Sequence, residues 1–167
     1  MDGRAKAAIA SAAFLVLASG IEAVLAPWLL TGWERGDGIL DGPVGVVAGA
    51  LLVAAGAAAL LWTYARFVAE GAGTPSPLLP PRELVVGGPY RFVRNPMYVA
   101  TAAVIAGEGV LLARPVLLVA AGAYLAAFAV FVRRVEEPLL ARRFGASWER
   151  YRAAVPGWRP RLTPWRG

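Results

Sequence analysis

The sequence predicts an all-α fold: a polytopic membrane helix bundle of about four transmembrane spans with a C-terminal amphipathic interfacial helix. Three observations carry that prediction. Of the 167 residues, 58% are hydrophobic, more than the core of one water-soluble domain requires. The apolar residues gather into four runs, each long enough to address ~30 Å of hydrocarbon at ~1.5 Å per helical residue. All but Arg35 and Arg114 of the 17 basic residues fall in the N-terminal arm, the 66–94 region or the tail after Val132. The whole chain, 1–167, reads as a single membrane domain.

Composition also removes chemistry. The chain has no cysteine and no histidine, which excludes disulfides, thiolate and imidazole metal sites, Cys nucleophiles and His-based proton transfer. No metal is expected, and acid–base work falls to carboxylates, Tyr or water. The net charge of +6, placed as it is, points to a membrane surface and not to nucleic acid. No Gly-Lys-Ser or Gly-x-Gly-x-x-Gly phosphate loop occurs.

The first span is expected over 5–30, after Arg4, and a signal peptide is the competing reading of such a start. Three further apolar runs favour a retained helix. Thr31 to Gly42 is a short polar loop with Glu34, Arg35, Asp37 and Asp41. The second span, 43–68, is rich in small residues, and Gly45, Gly49 and Gly56 are candidates for close helix packing. A loop over 70–95 carries Pro75, Pro77, Pro80 and Pro81 and predicts an extended, polyproline-like segment. A connection of that length is usually functional. The third span, 96–113, and the fourth, 116–132, form a hairpin about Arg114-Pro115. The positive-inside rule puts both termini and the Pro-rich loop in the cytoplasm, as four spans require, with a bacterial inner membrane the expected location.

In the tail, 136–156, Leu140, Phe144, Trp148, Tyr151 and Val155 recur at three- and four-residue intervals among arginines. That predicts a broken amphipathic helix, ended by Gly145, restarted by a Ser147 cap and stopped at Pro156. It would lie along the interface or fold over the loop.

The densest polar and aromatic cluster is Gly87 to Tyr98, Gly-Gly-Pro-Tyr-Arg-Phe-Val-Arg-Asn-Pro-Met-Tyr. Gly88-Pro89 predicts a turn and Pro96 the first turn of the third span. The spacing of Arg91 and Arg94 predicts two guanidinium groups on one side, facing an anion at the helix N-terminus. Tyr, Trp and Arg also anchor helices at membrane boundaries, but anchoring requires neither the two prolines nor the paired arginines. Glu136 and Glu137, at the end of the fourth span, are suited to an ammonium or sulfonium group or to ribose hydroxyls, unless they merely pair with Arg133 and Arg134. The hairpin brings both sets to one membrane face, where an amino acid-like ligand would satisfy both. Glu22 and Glu108 lie inside apolar runs toward the outer end. Glu22 is expected to pack inside the bundle with a hydrogen-bond partner or to reach the outer interface, and for Glu108 a functional role stays open beside the same two alternatives.

These stretches, with Gly-Thr-Pro-Ser-Pro (73–77), Pro-Pro-Arg-Glu-Leu-Val-Val (80–86) and Glu-Glu-Pro-Leu-Leu-Ala-Arg-Arg-Phe-Gly (136–145), resemble the isoprenylcysteine carboxyl methyltransferase family and its phospholipid N-methyltransferase relatives. The resemblance covers 45–161. It implies an integral-membrane methyltransferase that binds S-adenosylmethionine at the cytoplasmic face and acts on a lipophilic acceptor, a carboxylate or an amine. Pro89, Tyr90, Arg91, Arg94, Asn95, Pro96, Tyr98, Glu136 and Glu137 are then the implied cofactor residues, and Arg94 the catalytic candidate that holds an anion near the reacting centre. Asn95 stands where the carboxyl methyltransferases usually have His, as in the phospholipid branch. Two other readings compete: a nicotinamide-dependent reductase similar to the sterol reductases, and a small non-enzymatic transporter built on Glu22 and Glu108. The partners implied are membrane lipids and a lipid or lipophilic small-molecule substrate; the oligomeric state is left open.

Overall fold

A computed structural model describes residues 9, 13, 15–38, 40–71 and 83–167. All regular structure among them is helical. The first helix, α1 (15–31), consists of two widened π-type turns, Leu15–Ser19 and Ile21–Leu25, followed by regular helix Ala26–Thr31. Thr31 Oγ1 donates back to the Pro27 carbonyl at 2.8 Å, and Gly32, at φ 60°, ends the helix in the left-handed conformation. The start of the expected first span lies largely outside the described residues.

α2 (Pro43–Gly71) runs past the expected end at residue 68. Only 17% of its most apolar window is buried, so Val44, Val47, Leu51 and Leu61 face outward, as on a helix in lipid rather than in a soluble core. The Pro-rich stretch that follows, 72–82, lies outside the described residues. α3 (Pro96–Leu111) packs back along α2 through a seam of glycines. A Cβ on Gly49 would stand 2.8 Å from the Gly107 carbonyl, and one on Gly56 3.0 Å from the Ala100 carbonyl. Gly49 and Gly56 therefore close the seam, as their small size predicts, and Gly45 fits against the Leu40 carbonyl at the helix entrance.

Pro115 opens α4 (Pro115–Phe131) after a reversal in which Ala113 takes φ 51° and the Arg114 N–H reaches the Gly109 carbonyl at 2.8 Å. The polar loop after α1 docks on this reversal: the Gly36 N–H donates to the Leu112 carbonyl at 2.8 Å and Arg114 Nε to the Glu34 carbonyl at 2.9 Å. Ala23, Val104, Ile105, Leu117 and Ala121 form the shared core of α1, α3 and α4.

Val132 is the expected end of the fourth span, and the helix itself runs on past it. It continues through a π-type turn, Val132–Glu136, into α5 (Glu137–Phe144), and the widened turn stands just before Pro138, which has no N–H to give to the preceding turn. Gly145, at φ 51°, then breaks the chain, and α6 (Ala146–Ala154) follows. The break is where the sequence predicts it, but Ser147 is no cap. It lies inside α6, and no side-chain cap bond forms there. Among the described residues, two helices, Pro43–Glu70 and Pro115–Phe144, are long and apolar enough to cross a membrane; two others, Val16–Thr31 and Pro96–Leu111, are apolar but shorter.

Candidate functional site

The Gly87–Tyr98 segment is held from below by α2. Glu70 Oε2 accepts the Gly87 N–H at 2.8 Å while Oε1 meets Arg66 at 3.2 Å, and a side chain on Gly87 would overlap this carboxylate. Gly88, at φ 55°, turns the chain into a single 3-10 turn, Gly88–Arg91. That turn buries Tyr90 in a cluster with Val85, Trp148, Tyr151 and Val155. The Tyr151 hydroxyl donates to the Tyr90 carbonyl at 2.7 Å, and burial holds both phenols well above their ordinary pKa, so each stays neutral. The aromatic face of the tail thus folds over the loop.

The turn ends at Arg91, and this separates the two arginines that one continuous turn would have aligned. Arg91 Nε donates to the Trp165 carbonyl at 2.6 Å, whereas Arg94 Nη2 meets Glu137 Oε1 at 3.1 Å. They share no target: Arg91 holds the tail and Arg94 enters the site. Asn95 is committed too, its Nδ2 donating to the Gly157 carbonyl at 3.0 Å, and Pro96 opens α3.

The two acidic neighbours diverge as well, since adjacent residues on a helix point about 100° apart. Glu136 Oε2 accepts the Tyr98 hydroxyl at 3.2 Å. Glu137 takes Arg94 and, at 3.7 Å, Arg152 of α6. Arg133 and Arg134, their expected bland partners, pair with neither glutamate among the described residues. The hairpin does bring the start of α3 and the end of α4 together, as its topology predicts.

Arg94 is the most constrained charge in the site. Its side chain is 13% exposed and that of Glu137 16%. The guanidinium lies over the Trp148 ring, 5.5 Å from its centroid. Burial lowers the Arg94 pKa from its ordinary value, and the neighbouring Glu137 carboxylate opposes that shift. Among the described residues, Arg94 Nε and Nη1 and the Trp148 indole N–H are buried without a hydrogen-bond partner. Each such donor costs about 1–3 kcal/mol. Three of them beside one ion pair form a donor set suited to an anion, above all a carboxylate.

Beyond Glu136 an aromatic wall continues into the bundle. Tyr98 stacks on Phe128 at 4.5 Å, with Trp158 at 6.1 Å and Tyr124 at 6.5 Å. Trp148, Trp158, Tyr124 and Phe128 are absent from the site that the sequence predicts. Trp148 was visible only as one member of a helical stripe, and the others carry no local signal. Glu22 accepts the Tyr124 hydroxyl at 2.9 Å, a half-buried partner inside the bundle. Glu108 lies at the far end of α3, one of its oxygens unpartnered among the described residues, and takes no part in this cluster.

A family model described as phospholipid methyltransferase matches residues 44–147, more than half of the chain. No curated protein and no solved structure matches.

Proposed function

The chain belongs to the phospholipid methyltransferase family, and on that premise we propose that it is an S-adenosylmethionine-dependent integral-membrane enzyme that methylates a lipophilic acceptor, a carboxylate or an amine, at the cytoplasmic face. Four spans, cytoplasmic termini and the α5–α6 tail at the interface belong to the same reading. The observation that carries it is the half-satisfied ion pair. Arg94 Nε, Nη1 and the Trp148 N–H are donors in need of an acceptor, and Glu137 and Glu136 are acceptors beside them. A zwitterionic amino-acid moiety, such as S-adenosylmethionine carries, fits such a set: its carboxylate on the Arg94 side, its ammonium on the glutamates.

When bound, the cofactor supplies a methyl group on a positive sulfur, transferable by in-line displacement without a metal. The chain's own task is to orient and to exclude water. Arg94 holds an anion near the reacting centre. Tyr98, fixed between Phe128 and Glu136, keeps one carboxylate aimed at the site. The aromatic wall from Tyr98 to Tyr124 offers an apolar, water-poor approach for a lipid-like acceptor from the bundle side.

Calorimetric titration of the detergent-purified protein with S-adenosylhomocysteine, in parallel with NADPH, tests the reading. Micromolar binding of the first alone, weakened at least tenfold by Arg94→Ala, is expected. Binding of NADPH alone, or of neither, overturns it.

A further inference from the structure

The family-matched segment ends at residue 147, yet the chain beyond it is laced to the motif loop along its length. Arg94 N–H donates to the Pro156 carbonyl at 2.9 Å, and Asn95 gives both its backbone N–H and its Nδ2 to the Gly157 carbonyl at 3.2 and 3.0 Å. Further on, Arg161 N–H reaches the Phe92 carbonyl and Trp165 N–H the Arg91 carbonyl, each at 2.9 Å. Residues 155–165 thus form a strap across the loop that carries Arg94.

Its register sets Gly157 directly against the guanidinium. A Cβ there would stand 3.1 Å from Arg94 Nη2, the atom that holds Glu137, and 3.5 Å from Asn95 Nδ2. Gly157 is not among the glycines of positive φ, so no turn demands it. What the missing side chain provides is room beside Arg94.

We propose that the strap is a working part of the site and that Gly157 is a positioning residue, fixing Arg94 so that Nη2 stays on Glu137 while Nε and Nη1 face the ligand. This rests on the reading of the Arg94–Glu137 cluster as the cofactor site. A side chain at 157 presses on the far end of the Arg94 side chain and only touches Asn95 Nδ2, so the fold yields by moving the guanidinium a few tenths of an ångström. Recognition of a carboxylate by directed N–H groups does not tolerate that movement.

The test is a titration of Gly157→Ala and Gly157→Val with S-adenosylhomocysteine. About tenfold weaker binding is expected for Ala and a larger loss for Val. Unchanged binding in Gly157→Val overturns the proposal. A double-mutant cycle with Arg94→Lys, which keeps the charge but removes Nη2, separates positioning from general loosening: the effect of Gly157→Ala should vanish in that background, and additive losses refute the coupling. A second cycle needs no ligand. The fall in melting temperature caused by Gly157→Val should shrink when Glu137 is already Ala, because the bond it disturbs is gone; an equal fall in both backgrounds overturns the proposal. If the wild-type protein binds no S-adenosylhomocysteine, the cofactor reading fails and this second cycle still decides the strap.

Discussion

Cutting the Arg94–Glu137 pair from its two ends should have unequal consequences. Removing one partner of a fully buried ion pair costs about 3–5 kcal/mol, because the other charge stays behind unpaired. These side chains are 13% and 16% exposed, which places Glu137→Ala just below that range, at about 2–3 kcal/mol. In that variant Arg94 keeps only the Trp148 face. Arg94→Ala is milder. Glu137 retains Arg152 at 3.7 Å, and the two unpartnered Arg94 nitrogens disappear with the side chain, so about 1 kcal/mol is expected, mostly the lost cation–π contact. At roughly 2–4 °C per kcal/mol for a chain of this size, Glu137→Ala should melt about 4–12 °C below wild type and Arg94→Ala about 2–4 °C below. The double variant should lie above Glu137→Ala, since it leaves no stranded cation. Melting in detergent followed by tryptophan fluorescence reads this directly, and thiol-reactive dyes are of no use in a chain without cysteine. If Arg94→Ala proves at least as destabilising as Glu137→Ala, or if the two losses add, the assignment of Arg94 as a cation dependent on this one carboxylate is wrong.

Three other outcomes follow from the packing. Gly49→Leu should part α2 from α3, because even a Cβ at 49 lies 2.6 Å from Leu111 Cα; a loss of about 3 kcal/mol or more, or failure to accumulate in the membrane, is expected, and wild-type melting would contradict the seam. Tyr151→Phe leaves the buried Tyr90 carbonyl without its donor and should cost about 1–3 kcal/mol in the same melting assay, with S-adenosylhomocysteine binding weakened because the loop behind Arg94 loosens. Glu22→Gln keeps an oxygen for the Tyr124 hydroxyl and should be nearly neutral, whereas Glu22→Leu should cost about 0.6–1.7 kcal/mol; equal melting of the two variants would show that the hydrogen bond contributes nothing.

How much of this was legible beforehand depends on the range over which each feature is decided. Pro96 and Pro115 mark helix starts because a residue without an N–H suits a first turn, and Gly88 and Gly145 mark breaks because they adopt positive φ at little cost. Those are properties of a few neighbouring residues. Apolarity marks Val132 as the end of the fourth span without marking the end of the helix, since Arg133 to Glu137 can stay helical outside an apolar run. Ser147 failed as a cap because Gly145 had already set the helix start.

The sequence by itself determined a helical membrane chain, its hairpin, and the two short stretches that meet at one end, since apolar run lengths, prolines, glycines and charge placement are written locally. Only the tertiary structure decided how the charges are shared. Arg91 and Arg94 part because the loop leaves its turn after one winding, and Glu136 and Glu137 part because helix geometry sends neighbours to different partners. The buried cluster under the tail and the strap join residues 60 or more positions apart, Tyr90 with Tyr151 and Asn95 with Gly157. No periodicity encodes such pairings; they exist once the helices have packed and left donors of Arg94 and Trp148 buried without a partner.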